Sequence, residues 1–361
     1  MNSNNYAIIM AGGIGSRFWP ISRTSHPKQF IDILGTGKTL IQQTYDRFLK
    51  VCPKENIYVV TNEIYTDLVK TQLPDMADGQ ILTEPVMRNT APCVAYGCFK
   101  IESLNPDAAI VIAPSDHLIL DEQGFVNTIE KSLATASTHG CLVTLGIKPS
   151  RPDTGYGYIQ YTDKIIDGDF HKVKTFTEKP TIEIAKTFIQ SGDFLWNAGI
   201  FIWSAKAILE SFKKYLPEIN DIFADAKSVY NTTDEKPYIH NAYQQCTNIS
   251  IDYGIMEKAD NVYVLPSEFG WSDLGTWASI YQLAEKDYVG NAVIPAEKVI
   301  MYDSSNCMVN VPADKLVILK GLHDFIVVES NNTLLICPRE DEQNVKKVVA
   351  DVKQKFGTKY I

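Results

Sequence analysis

The sequence predicts an α/β protein: a Rossmann-like, mostly parallel (mixed) sheet flanked by helices, followed by a small strand-rich domain. Three observations carry this reading. Over residues 1–285, short apolar runs of strand length alternate with amphipathic helical patterns, the rhythm of βαβ units. From about Val293 the character changes to short strand-like runs separated by turn clusters, which sets a second domain at residues 286–361. The composition, 45% hydrophobic and 21% charged over 361 residues, fits a globular chain with enough apolar content for one large core and a smaller one.

The elements follow in order. Tyr6–Met10 reads as a buried first strand and leads into a glycine-rich loop. Leu40, Ile41, Thr44, Tyr45, Phe48 and Leu49 recur at helical spacing, with Thr39 and Gln42 placed as a capping box. Ile57–Thr61 and Ala109–Ala113 are strands, the latter ending in the polar turn Pro114-Ser115-Asp116-His117, and Cys141–Ile147 is another. In the tail, Val299–Tyr302, Met308–Val311, Leu316–Leu319, Phe325–Glu329 and Thr333–Cys337 are strand-like, and Glu342–Phe356 is a closing helix. The polar stretch from Asp221 to Tyr243 offers no clear period and is left unassigned.

The most informative segment is residues 11–30. Gly12, Gly13 and Gly15, with Ser16, let backbone N–H groups approach an anion, and Arg17 and Lys28 add fixed positive charge on the same loop. That combination suits a polyphosphate. It is not a P-loop, because no Gly-Lys-Ser/Thr follows at the required spacing, and it is a poor dinucleotide fingerprint, because the third glycine position is Phe18. Asp116 and Asp273, both in turns, could jointly hold Mg²⁺ between phosphate oxygens; either alone fits a turn or a helix cap. His117 reads as a supporting residue rather than a base.

Glu84, Asn89 and Thr90 lie between a strand and a helix, a suitable place for base recognition. Gly157, Glu178, Lys179 and Asn197 mark loop and strand segments that could hold a sugar and its phosphate. Trp196, Trp203, Trp271 and Trp277 read as packing. Seven cysteines without a CxxC pair suit buried thiols in a reducing compartment. The net charge of −9 disfavours nucleic acid as a partner. No basic-then-apolar leader opens the sequence and no apolar stretch approaches about 18 residues, so a cytoplasmic protein without a membrane partner is expected.

The segments GGIGSRFWPISRTSHPKQF, TEPVMRNTAP, APSDH, GIKPSRPDTGYGYI, FTEKP, FLWNAGIFIW, SIDYGIMEK and GWSDLGTW run in order from residue 12 to residue 277. Together they resemble the sugar-phosphate nucleotidyltransferases, specifically the mannose-1-phosphate guanylyltransferases. Phe18 departs from the pattern, standing where leucine is common, and no charged group is lost. The resemblance implies GTP and mannose 1-phosphate as substrates, Mg²⁺ as cofactor, and a left-handed β-helix-like tail. It implies Arg17, Lys28, Asp116 and Asp273 as the catalytic set, with Asp116 and Asp273 on the metal. Gly12, Gly13, Gly15, Ser16, Glu84, Asn89 and Thr90 would bind nucleotide, and Gly157, Glu178, Lys179 and Asn197 the sugar phosphate. Longer relatives carry a fused isomerase domain, so a single activity is expected here. A regulatory nucleotide-sugar binder and a nicotinamide-dependent dehydrogenase stand as rival classes. Strand edges in the tail suggest a homodimer.

Overall fold

A computed structural model describes residues 2–295 and 297–361. The chain forms two compact units, and neither is one continuous stretch. The first comprises residues up to Gly12, Thr44–Ser115 and Ile119–Trp271; the second comprises Gly13–Gln43, Asp116–Leu118 and Ser272–Ile361.

The first unit is built on a nine-stranded sheet. Its strands are β1 (Asn5–Met10), β2 (Ile57–Asn62), β3 (Ile81–Glu84), β4 (Ala109–Pro114), β6 (Leu142–Ile147), β7 (Gly157–Ile166), β8 (Phe170–Glu178), β9 (Phe194–Ser204) and β10 (Val262–Ser267). Two short strands, β5 (Leu118–Ile119) and β11 (Trp271–Ser272), fall where the chain passes between units. The order is β3-β2-β1-β4-β9-β6-β10-β8-β7. The sheet is mixed: β3, β2, β1 and β4 are mutually parallel, as are β6 and β10, whereas β9 runs antiparallel to β4 and β6.

Register places the strand ends that matter. Met10 pairs with Val60 and with Pro114, and Asn62 pairs with Glu84. The segments after β1, β3 and β4 therefore leave from one edge of the parallel half, the carboxyl edge at which such sheets carry ligands.

The helices of this unit are chiefly α3 (Thr90–Leu104), α4 (Glu122–His139), α6 (Ala205–Tyr215), α7 (Pro217–Asp225) and α8 (Glu235–Gln245), with shorter α2 (Thr66–Gln72) and α5 (Ile182–Ser191). The α1 helix (Leu40–Phe48) starts as expected: the Thr39 N–H donates to Gln42 Oε1 at 3.0 Å. One core cluster joins Tyr6, Ile8, Ile110 and Trp203 of the sheet to Val94, Phe99, Phe212 and Phe223 of the helices. The stretch from Asp221 to Tyr243 is helical over much of its length, and its period was hidden because it buries only a few side chains, among them Phe223, Ile239, Ala242 and Tyr243. Lys100 and Glu235, 4% and 8% exposed in their side chains, pair at 2.5 Å inside this core. All seven cysteines are free thiols.

The second unit contains β12 (Ala292–Ile294), β13 (Val299–Tyr302), β14 (Met308–Asn310), β15 (Val317–Lys320), β16 (Phe325–Ser330) and β17 (Thr333–Pro338), with helices α9 (Trp277–Leu283) and α10 (Val345–Phe356). β12, β14 and β16 stack in parallel, as do β13 and β15, so successive coils lie on one another as in a β-helix. Val309, Val327 and Cys307 fill the coil interior. On the other side Met308, Ile326 and Val328 pack against Phe18, Ile33, Leu40 and Trp277. The glycine-loop segment thus shares its core with the tail.

Candidate functional site

In the second unit a cavity of ≈ 260 Å³ gathers residues from three distant parts of the sequence. Gly15, Ser16, Arg17 and Lys28 come from the glycine loop, Asp116 and His117 from the turn after β4, and Asp273 and Gly275 from the segment before α9. The loop bends back at Gly15, which has φ 68° and caps the short 3₁₀ turn Ser16–Phe18. A Cβ at Gly15 would stand 2.5 Å from Lys28 Cβ, so a side chain there would displace the lysine.

Lys28 is the hub. Its side chain is 4% exposed, and its ammonium reaches Asp116 Oδ2 at 2.9 Å. It also donates to the carbonyls of Asp273 at 2.7 Å and Leu274 at 2.9 Å. An ammonium has three hydrogens, so all are engaged within the protein. Burial alone would push the Asp116 carboxyl up, but the Lys28 charge and hydrogen bond, helped by His117, win and hold it below the ordinary aspartate value. Asp273 Oδ1 accepts the Gly275 N–H at 2.9 Å, which closes a tight turn through Leu274 at φ 44°. Arg17 is half-buried, and its Nε donates to Gln343 Oε1 at 3.1 Å.

Two carboxylates on one cavity wall suit a hard divalent cation that completes its shell with phosphate oxygens and water. Among the described residues no group of three or more His, Cys, Asp or Glu forms a ready-made cage. The donor set fits a metal that arrives with a phosphate ligand rather than one held by protein alone.

Two further groups lie in the first unit. Gly157 pairs with Glu178 across β7 and β8, and a Cβ at Gly157 would meet Glu178 Oε2 at 2.5 Å and Asn197 Cβ at 3.5 Å. Glycine therefore leaves the room these two side chains occupy. Lys179, at φ 47° and exposed, is ion-paired with Glu178. The Asn197 amide is oriented from both ends: Oδ1 accepts from Gly199 N at 3.0 Å and Nδ2 donates to Asp252 Oδ1 at 2.8 Å. Burial raises the Asp252 carboxyl, Asn197 counters it, and Glu178 adds to the rise. Asp252 lies inside the SIDYGIMEK segment, the one signal that could have singled it out.

At the end of β3, Glu84 is 5% exposed and its Oε1 has no hydrogen-bond partner in the protein. Burial pushes this carboxyl up to about 7, with the Tyr243 hydroxyl pulling it back. Gly12 adjoins it, its hypothetical Cβ 3.6 Å from Glu84 Oε2. Asn89, at φ 65°, caps α3 by accepting the Thr90 N–H at 2.9 Å, and the Thr90 hydroxyl accepts from Ile251 N at 2.9 Å. Gly13 has no atom within 4 Å of its Cβ direction and is exposed.

A family model described as nucleotidyl transferase matches residues 6–289, and one described as the MannoseP isomerase/GMP-like beta-helix domain matches residues 297–352. The chain belongs to the nucleotidyl transferase family. Within that family it is similar to the alginate biosynthesis protein AlgA of Pseudomonas aeruginosa, 37% identical over 96% of this chain and 71% of that one. It is 36% identical to the mannose-1-phosphate guanylyltransferase of Salmonella montevideo, over 96% of this chain and 73% of that one. Among solved structures it resembles one described as mannose-1-phosphate geranyltransferase from Thermus thermophilus, with a TM-score of 0.86, 29% identity, and coverage of 97% and 99% of the two chains. These relatives set this nucleotidyl transferase among the mannose-1-phosphate guanylyltransferases. No helix among the described residues is long and apolar enough to cross a membrane.

Proposed function

We propose that the protein joins GTP and mannose 1-phosphate to give GDP-mannose and pyrophosphate. The observation that carries this reading is the gathering of Asp116, Asp273, Arg17 and Lys28 on one cavity from three separate segments. A phosphate monoester is already an anion at neutral pH, so the attacking oxygen needs no general base. It forms a bond to the α-phosphorus of GTP, the bond to the bridging β-phosphate oxygen breaks, and pyrophosphate leaves with the electron pair.

The barrier is mutual repulsion of anions and charge building on the leaving group, so the protein's work is positioning and electrostatics. Asp116 and Asp273 would hold Mg²⁺, which when bound would supply Lewis-acid neutralisation of phosphate charge. Arg17 and the backbone N–H groups from Gly13 to Ser16 hold the leaving pyrophosphate. From the sequence, Lys28 is expected to add positive charge for the polyphosphate beside Arg17. With its ammonium fully engaged, its part becomes holding Asp116 ionised and fixing the Asp273–Leu274 turn. Glu178, Asn197 and Gly157 select the hexose, and Lys179 meets its phosphate. Glu84, Asn89 and Thr90 read guanine: Glu84 Oε1, left without a partner in the protein, would accept from the guanine N–H edge.

The test is a matrix of GTP, ATP, UTP, CTP and dTTP against mannose, glucose and fucose 1-phosphates with pyrophosphate detection. GTP with mannose 1-phosphate is expected to be fastest; equal rates with all five triphosphates refute the guanine assignment, and no pyrophosphate from any pair refutes the reaction. We further assign a cytoplasmic homodimer. Ile300 and Tyr302 on β13 and Ile318 on β15 are exposed together on the tail, an apolar face that a second copy would cover. Light scattering on the eluted protein tests this; a monomer at micromolar concentration overturns it.

A further inference from the structure

The tail helix α10 supplies a residue to the polyphosphate cavity that no sequence signal marked. Lys346, on its first turn, lines the cavity with Arg17, Lys28, Asp116 and Asp273. Its placement is fixed on both sides. Three residues earlier, Gln343 accepts from Arg17 Nε at 3.1 Å. One residue earlier, Val345 is buried with Trp19 of the glycine loop and Leu335, and Val349 and Val352 extend that contact along the helix. Farther on, the Trp19 indole donates to the Tyr360 carbonyl at 2.7 Å. Glu342 pins the preceding turn by accepting the Ala278 N–H at 2.8 Å. The helix is thus strapped along the loop that carries Arg17, and Lys346 faces the cavity as a result.

We infer that Lys346 is a specificity-determining residue for the pyrophosphate end of the nucleotide, with Gln343 as the positioning residue that aims the Arg17 guanidinium at the same group. This rests on the reaction proposed above. The chemical reason is charge balance. A leaving pyrophosphate carries several negative charges, and Arg17 and Lys346 bring positive charge to the same cavity from two distant segments, beside the Lys28 that holds Asp116. The Nε bond to Gln343 leaves the terminal guanidinium nitrogens of Arg17 to form a fork toward phosphate oxygens. In this arrangement the β-helix-like tail completes the site rather than only following it.

The experiment runs the full chain in reverse, GDP-mannose plus pyrophosphate, with Lys346→Ala, Lys346→Arg, Gln343→Ala and, as a control, the neighbouring exposed Lys347→Ala. Lys346→Ala is expected to raise KM for pyrophosphate roughly tenfold or more and leave KM for GDP-mannose within twofold, because only one ligand loses a charge contact. Lys346→Arg restores most of the loss, Gln343→Ala shows a smaller rise in the same constant, and Lys347→Ala shows none. A folded Lys346→Ala protein with unchanged KM for pyrophosphate overturns the proposal, as does an equal rise with both substrates. Calorimetric titration with inorganic tripolyphosphate is the second measurement, since it needs neither guanine nor mannose. If no sugar phosphate is activated but tripolyphosphate binding weakens tenfold in Lys346→Ala, the reaction assignment falls and Lys346 stands. If wild type and variant bind tripolyphosphate alike, Lys346 falls whatever the reaction.

Discussion

Replacing Lys28 with methionine tests the centre of the site. Methionine keeps an unbranched stem able to pack near Phe18, whose ring centroid lies 5.5 Å from the ammonium, but it removes all three donated hydrogen bonds. Breaking a buried pair by deleting one partner costs about 3–5 kcal/mol. The Asp116 side chain is 30% exposed and can partly rehydrate, which places the cost near the low end, about 3 kcal/mol. Two carbonyls that lose their donor add about 1 kcal/mol together after relaxation. The sum of about 4 kcal/mol corresponds to a fall in Tm of about 5 °C for a chain of this size.

The effect on rate is separate. Without Lys28 the Asp116 carboxyl loses the attraction that holds it down while keeping the burial that drives it up. A carboxyl depressed in the folded state contributes stability above its unfolded value, near 3.8, and loses it as pH falls through the folded value. In Lys28→Met that contribution is missing at neutral pH, and the acid limb of the pH–rate profile moves to higher pH. Turnover measured by pyrophosphate release well below the Tm is expected to drop about 100-fold or more. Lys28→Arg recovers little, because a planar fork does not match one carboxylate and two carbonyls converging on a single ammonium. Turnover within threefold of wild type in a Lys28→Met protein whose Tm is unmoved would refute the reasoning.

Further predictions follow from single residues. Asp273→Asn keeps the Gly275 turn bond but removes a metal-binding charge, so turnover should fall about 100-fold with Tm within a few degrees; undiminished rates at saturating Mg²⁺ would remove Asp273 from the metal site. Glu84 is pushed up to about 7 from 4.5, so its contribution to stability is fully present below pH 4.5 and lost as pH rises through 7. Glu84→Gln lacks this dependence, and without ligand its stability relative to wild type should improve by about 3 kcal/mol between pH 4 and pH 8; parallel denaturation curves across that range would contradict it. Lys100→Met leaves Glu235 charged and buried with Tyr96 and the Asn231 N–H as its remaining partners, at a cost of about 3–5 kcal/mol in chemical denaturation, and an unchanged midpoint would show that the pair is dispensable.

Much of the frame was legible along the chain. The strands ending at Met10, Asn62 and Pro114 are short apolar runs buried on both faces, a property of consecutive residues. The α1 start was legible because a capping box is a bond between residues three apart. The helices between Asp221 and Tyr243 were not, because two short, sparsely buried elements give too few apolar positions to define a period. The convergence of Gly157, Glu178 and Asn197 followed from strand order, with Asp252 added by a turn whose motif was visible but whose target was not.

By itself, then, the sequence determined the chemistry on offer: a glycine loop with Arg17 and Lys28, two turn-borne aspartates, and a strand-rich tail. Only the tertiary structure decided who meets whom. It spent the Lys28 ammonium on Asp116 and the carbonyls of residues 273 and 274, packed the glycine loop into the core of the tail, and brought Lys346 onto the same cavity as Asp116. The physical reason is range. Period, capping and turn preference act over a few residues, whereas an ammonium satisfies its hydrogens with whatever acceptors the packed core brings within about 3 Å, however far apart they lie along the chain.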